Sequence, residues 1–207
     1  AQQIALGDSR LALAGGAESM SRGAYLLPPQ ARSGLRMGHA AVTDLTLGIL
    51  SDPFGSGHMG CTAENIAGRH GLTREAVDRF ALESHHKAAR AIAEGRFAEQ
   101  IVPVTVRQGR QERLFDRDEH VRDGVTLEDL ARLKPAFQKE GIVTAGNASG
   151  LNDGAASLVL AHADEAERRG LRPRARFLVG TTAGVEPHLM GLGPIPAVRR
   201  CLEQAGL

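Results

Sequence analysis

The sequence predicts an α/β fold with an inserted loop domain, and three observations lead there. Strand-like and helix-like segments alternate at both ends of the chain. Between them lies a mixed excursion, roughly Ser21 to Leu151, whose first part from Tyr25 to Phe54 is rich in Pro and Gly and weakly periodic. The 207 residues, 42% hydrophobic and 24% charged, have the balance of an ordinary globular chain of one or two modest domains.

Taken in order, Leu11 to Gly16 reads as a short buried strand running into a glycine turn. The strongest helix signal follows Thr73, a good N-cap, with Glu75 in the first turn and Gly95 as C-cap. Val77, Phe80, Ala81, Ser84, Ala88, Ala91 and Ile92 fall near one face at helical spacing. Ile101 to Val106 reads as a strand that Pro103 confines to an edge or bulge. Thr126-Leu127-Glu128-Asp129 resembles a capping box opening a short helix, which Lys134-Pro135 ends. Ser157 to Leu160 is strand-like, and a short helix from Asp164 to Arg169 closes at Gly170. Arg176 to Val179 is a further strand. Pro196 stands at the first turn of a last helix and Gly206 at its C-cap.

Composition excludes several functions. Lys+Arg and Asp+Glu nearly cancel at 25 and 24, so no global field favours nucleic acid or an anionic membrane. With no Trp, one Tyr and six Phe, base-stacking platforms are disfavoured. Cys61 and Cys201 are too few for a disulfide scaffold or a Cys-rich zinc site, and a reducing cytoplasm is the default. No apolar run approaches the ~18 residues of a membrane helix. The chain opens in helix-like sequence at Ala1-Gln2-Gln3 and closes where a helix stops, at Ala205-Gly206-Leu207, so an internal fragment of a larger protein is expected.

Four segments stand out: Ala14-Gly15-Gly16-Ala17-Glu18-Ser19-Met20-Ser21, His58-Met59-Gly60-Cys61-Thr62-Ala63-Glu64-Asn65, the run from Thr144-Ala145-Gly146-Asn147-Ala148-Ser149-Gly150 to Ala155, and Met190-Gly191-Leu192-Gly193-Pro194-Ile195-Pro196-Ala197. The glycine-rich run from Thr144 lets a ligand approach backbone N–H and C=O groups, and Ser149 adds a hydroxyl. The same residues also suit a tight packing turn with no ligand. In this order and spacing, joined by Leu133-Lys134-Pro135-Ala136-Phe137, the four segments resemble the thiolase family across nearly the whole chain. Gly146 to Gly154 is most similar to the short-chain acetyl-CoA acetyltransferases, with β-ketoadipyl-CoA thiolases as close rivals.

The resemblance implies part of a layered αβαβα fold: 1–20 ending the N-terminal half, 21–151 as loop domain and CoA-binding segment, 152–170 as that half's last strand and helix, and 171–207 opening the C-terminal half. It implies acyl-CoA thioesters as substrates and no resident cofactor. Ala145 and Ser149 would line the pantetheine tunnel, and His58 and Met59 would border the acyl group, a task that suits the flexible Met thioether. Arg122 would lie beside the nucleotide, where a guanidinium can stack on adenine or approach phosphate; otherwise it is solvated surface. Asp129 would face the adenosine or simply favour the helix N-terminus. Phe137 would cap the pantetheine or fill core, and Met190 would face the acyl pocket or fill core.

Cys61, three residues after His58, invites a Cys–His nucleophile reading. The family's nucleophile sits in another motif, however, and Cys61 takes a position filled by assorted small residues. Cys201 is expected in the core. The acid/base and nucleophile motifs are expected upstream of Ala1 or downstream of Leu207, so no catalytic residue is assigned here. Homodimer or homotetramer assembly of the full-length protein is expected, with no nucleic-acid or membrane partner.

Overall fold

A computed structural model describes residues 1–207. In chain order it runs α1 (Gln2–Ala5), β1 (Leu11–Ser19), a 3₁₀ turn (Met20–Arg22), β2 (Tyr25–Leu26), a 3₁₀ turn (Pro29–Ser33), β3 (Thr43–Asp44), α2 (Leu45–Ile49), β4 (Ser51–Asp52), β5 (Gly57–His58), α3 (Met59–His70) and α4 (Arg74–Ala93). It continues with β6 (Val104–Gln108), β7 (Gln111–Phe115), α5 (Leu127–Ala131), β8 (Asp153–Ala161), α6 (Ala163–Arg168), a 3₁₀ turn (Pro187–Leu192) and α7 (Pro194–Ala205). The chain divides into two compact units, one of Ala1–Met59 with Leu151–Leu207 and one of Gly60–Gly150. No helix is long and apolar enough to cross a membrane.

In the first unit β1 and β8 form an antiparallel ribbon, Leu11 opposite Ala161 through Ser19 opposite Asp153. The expected turn at Gly15-Gly16 is absent, and the strand runs straight through both glycines to Ser19. A Cβ at Gly15 would stand 2.7 Å from the Ala156 carbonyl oxygen, so glycine serves close strand approach here rather than chain reversal. The strand is also not buried: Leu13 is 77% exposed and Leu158 67%. A ribbon of two strands has no layer of its own to cover its faces. Asp153 anchors the end of the ribbon, its carboxylate accepting from the Ser21 N–H at 2.9 Å and the Ser21 hydroxyl at 2.6 Å.

α6 begins one residue before the expected start and leads to Gly170, whose φ of +63° ends it. Its Glu165 is buried among cations. Arg168 bonds it through Nε at 3.0 Å and Nη2 at 2.5 Å, Arg169 bonds it through Nε, and Arg10 approaches at 3.4 Å. Arg168 first, then Arg169, lowers the Glu165 pKa from 4.5 to about 2. Arg176 to Val179 pairs with no other segment and is not a strand, because a strand needs a ladder and no neighbour supplies one here. α7 starts at Pro194, two residues before the expected Pro196. Pro194 takes the first position, where its missing N–H costs nothing, and Gly206 closes the helix at φ +71°. Cys201 is half-buried rather than core, its Sγ 4.0 Å from the Val179 carbonyl.

The second unit is built on α3 and α4. Thr73 caps α4, its hydroxyl accepting from the Ala76 N–H at 3.2 Å, and Gly95 follows the C-terminus at φ +69°. The inward face is rotated from the expected one. Phe80 is 76% exposed and Ser84 is exposed, while Asp78, Leu82, His85 and Ala89 turn inward beside Val77, Ala81, Ala88 and Ile92. Polar residues hold part of the buried stripe, which an apolar pattern alone misplaces. β6 starts at Val104, after Pro103, and forms a hairpin with β7 through Gly109-Arg110. Gly109 at φ +65° supplies the positive φ that a two-residue hairpin turn requires.

Candidate functional site

The glycine-rich segment from Ile142 to Gly150 has no regular structure, so its backbone groups must find other partners. Glu64, Asn147 and Thr144 provide them directly, and Asp78 holds Asn147 in place. Glu64 on α3, 7% exposed, accepts from the Val143 N–H at 2.8 Å and the Ile142 N–H at 3.0 Å. Asp78 on α4, 1% exposed, accepts from the Asn147 amide at 2.8 Å and pairs with Arg74 Nε at 2.7 Å. Asn147 donates also to the Ile142 carbonyl at 2.8 Å and accepts from the Thr144 N–H at 2.8 Å. Buried Thr144 closes the set, its hydroxyl accepting from the Gly146 N–H at 3.1 Å. Arg74 reaches on through Nη2 to the Leu130 and Leu133 carbonyls at 2.6 and 3.0 Å, which binds the end of α5 to the same frame.

Two close approaches complete this frame. A Cβ at Gly146 would lie 2.6 Å from methyl carbons of both Leu130 and Leu133, and one at Gly60 would collide with the Phe137 ring. The Ala136 N–H also donates to the Val143 carbonyl at 2.9 Å. Ala145 and Ser149 remain exposed on the pinned segment, while Phe137 is half-buried. The segment is thus rigidly held from behind and open in front, a wall with small side chains outward.

The other expected residues of this unit are placed as follows. Arg122 is exposed, and its backbone N–H donates to His85 Nδ1 at 3.3 Å. Asp129 is exposed and makes the expected capping box with Thr126, accepting from the Thr126 N–H at 3.1 Å and hydroxyl at 2.7 Å. The Thr126 hydroxyl, then the Thr126 N–H, holds the Asp129 carboxyl below the ordinary carboxylate range. Its helix-terminal role is therefore occupied.

His58, Met59 and Met190 belong to the first unit. His58 ends β5 opposite Ser51 and is half-buried. Met59 opens α3, donates its N–H to the Leu50 carbonyl at 2.8 Å and is 42% exposed. Met190 is 41% exposed, whereas its neighbour Leu189 is buried at 5%; Leu189, not Met190, fills the core. Cys61 is a free, half-buried thiol in the first turn of α3.

Sequence reading missed the roles of Arg74, Glu64, Asp78 and Asn147, and the pairing of His85 with the Arg122 segment. The usable signal was an acid inside the apolar stripe of each helix, since a carboxylate there must have partners.

Residues 1–164 match the family described as the thiolase N-terminal domain. This chain belongs to the thiolase family. It is 53% identical over 208 residues to the β-ketothiolase BktB of Cupriavidus necator, across all of this chain and 52% of that protein. The acetyl-CoA acetyltransferase of Paracoccus denitrificans is 50% identical over 209 residues, with the same two coverages. Among solved structures, Bacillus anthracis acetyl-CoA acetyltransferase matches this thiolase chain with a TM-score of 0.90 at 47% identity, covering 99% of this chain and 52% of that one. Human mitochondrial 3-ketoacyl-CoA thiolase in complex with CoA matches at 0.90 with 36% identity, covering 100% and 51%. The thiolase α/β fold expected from the four motifs is the fold of this chain. The chain spans about half the length of the curated relatives it matches.

Proposed function

We propose that the protein carrying this chain is a short-chain thiolase, which condenses two acetyl-CoA to acetoacetyl-CoA or cleaves acetoacetyl-CoA with CoA. Residues 1–207 supply the cradle for the CoA arm. One observation carries the reading: the Ile142–Gly150 segment is fixed by Glu64, Asp78 and Asn147, with Ala145 and Ser149 left exposed. A rigid wall of small residues beside open backbone suits a narrow amide-bearing chain such as pantetheine. Phe137 offers an apolar surface next to that wall, and Arg122 a guanidinium for the nucleotide end. Asp129 keeps its cap and contributes to that end only as a neighbouring charge. His58, Met59 and Met190 serve the acyl group, where two partly exposed thioethers tolerate some variation in chain length.

Thiolase chemistry is ping-pong acyl transfer through a cysteine thiolate, a good nucleophile and a good leaving group. We assign that role to no residue among 1–207, Cys61 and Cys201 included. The reading further holds that no resident cofactor takes part, that the full-length enzyme is a homodimer or homotetramer, and that it works in the cytoplasm, where free thiols such as Cys61 and Cys201 persist.

The test is calorimetric titration of CoA into the protein as its complete gene encodes it, paired with acetoacetyl-CoA thiolysis. Ser149→Trp, which fills the exposed side of the wall, is expected to weaken CoA binding by about tenfold or more, about 1.4 kcal/mol. Undiminished CoA affinity in that variant would reject the cradle. Turnover of longer 3-ketoacyl-CoA or of β-ketoadipyl-CoA in preference to acetoacetyl-CoA would move the substrate assignment within the family.

A further inference from the structure

His85 lies on the inward face of α4, one of the positions that an apolar pattern misplaces. His120 comes from the irregular segment before α5. Their rings stack with centroids 6.5 Å apart and 27° between planes. The Arg122 N–H donates to His85 Nδ1 at 3.3 Å. The His120 ring also covers the end of the glycine-rich segment, since a Cβ at Gly150 would meet its Nδ1 at 2.8 Å. Through His85, therefore, α4 holds the segment that carries both Arg122 and the ring over Gly150.

The bond has a protonation requirement. A ring nitrogen accepts an N–H only through its lone pair, so Nδ1 must be bare and the imidazole neutral. The groups that act on His85 favour that state. Burial acts first, then the charges of His120 and Arg122 from the facing segment and of His86 on its own helix, all lowering its pKa. No carboxylate is among the charges that act on His85, and the acids next to these residues in sequence have other partners, Glu119 with Arg113 at 3.2 Å and Glu83 with Lys87 at 3.6 Å.

We infer that His85 is a positioning residue, a latch that holds the Arg122 segment on α4 while neutral and releases it on protonation. The proton comes from solvent and adds to the Nδ1 lone pair. The N–H···N bond is then lost, two N–H groups face each other, and a cation stands beside Arg122 and His120. No other bond changes. Because the folded protein disfavours this protonation, the latch is closed above the ordinary imidazole pKa of about 6.5 and opens as pH falls below it. The consequence for CoA rests on the reading of Arg122 as a contact to the nucleotide; the latch itself does not.

Two readouts separate the latch from that reading. The first is amide hydrogen exchange at Arg122, corrected for the intrinsic effect of pH, in the protein as its complete gene encodes it. Wild type is expected to lose protection between pH 7.5 and 5.0, and His85→Gln, whose amide oxygen accepts at any pH, to keep it. His120→Gln removes one neighbouring charge and keeps the His85 acceptor, which raises the proton affinity of His85, so the loss should move to higher pH. Protection at Arg122 that is independent of pH, or that falls alike in wild type and His85→Gln, overturns the latch. The second readout is the Kd of dephospho-CoA, whose pyrophosphate stays ionised over this range. The Kd should rise about tenfold in wild type and less than about twofold in His85→Gln. A closed-to-open change at Arg122 with no change in Kd would keep the latch and reject Arg122 as a nucleotide contact.

Discussion

Two irregular stretches of this chain solve the same problem in different ways. The Ile142–Gly150 segment and the Tyr25–His58 stretch both lack long regular elements, and both must satisfy their backbone polar groups. The first draws on buried side chains of distant helices: Glu64 accepts from its backbone, and Asp78 holds the Asn147 amide that bonds the backbone in turn. The second relies on two-residue ladders and local caps: Tyr25 with Asp44, Ser51 with His58, the Asp44 carboxylate on the Thr46 N–H at 2.8 Å, and Asp52 on the Ser56 N–H at 2.7 Å. Buried charged partners are strong because their alternative is an unpaired group out of water, whereas Asp44 and Asp52 are only half-buried and keep water as an alternative partner. A segment of the first kind is suited to hold one geometry against a ligand. One of the second kind can vary at little energetic penalty.

The comparison breaks most visibly at Asp78. Asp78→Ala leaves the Arg74 guanidinium and the Asn147 amide without their buried acceptor, and should destabilise the protein by about 3–5 kcal/mol in denaturant unfolding. Glu64→Ala strands the N–H groups of Ile142 and Val143, at about 1–3 kcal/mol each. If either variant unfolds like wild type, the segment is held by something else.

In the other stretch the effects should be smaller. Asp44→Ala removes the cap of α2 and is expected to cost about 1 kcal/mol by the same unfolding measurement. A loss as large as that of Asp78→Ala would erase the distinction between the two stretches. The smallest effect is the pH response of Asp52. The Ser56 N–H, with the Ser56 hydroxyl and the Phe54 N–H, holds its carboxyl below 3.8. A depressed carboxylate contributes stability above its unfolded pKa and loses it as pH falls through the folded value. The thermal midpoint should therefore drop slightly less between pH 5 and pH 3 in Asp52→Asn than in wild type. A steeper drop in the variant would contradict the assignment.

What the sequence revealed followed the same division. Local signals read correctly because their physics is local: the Thr73 cap, the Thr126–Asp129 box, and the glycines at 95, 170 and 206 need only a few neighbouring residues. The strand through Gly15-Gly16 was shortened because the close approach of Ala156 comes from 141 positions away. The face of α4 was rotated because buried Asp78 and half-buried His85 turn inward for their hydrogen bonds, not for hydrophobicity. The β6–β7 hairpin was missed although Gly109 marks its turn, since β7, from Gln111 to Phe115, is polar and exposed and shows little strand pattern. At the site, motif resemblance singled out the outward residues Ala145 and Ser149. The frame that fixes them became visible only from the hydrogen bonds of Glu64, Asp78 and Asn147.

The central claim is that the pinned Ile142–Gly150 segment is a wall against which CoA lies. Amide hydrogen exchange with and without saturating CoA, in the protein as its complete gene encodes it, tests it most directly. The account predicts that Ile142, Val143 and Thr144, already bonded inward, exchange slowly in both states, and that CoA slows exchange across 145–149. Exchange in 145–149 that is identical with and without bound CoA would contradict it.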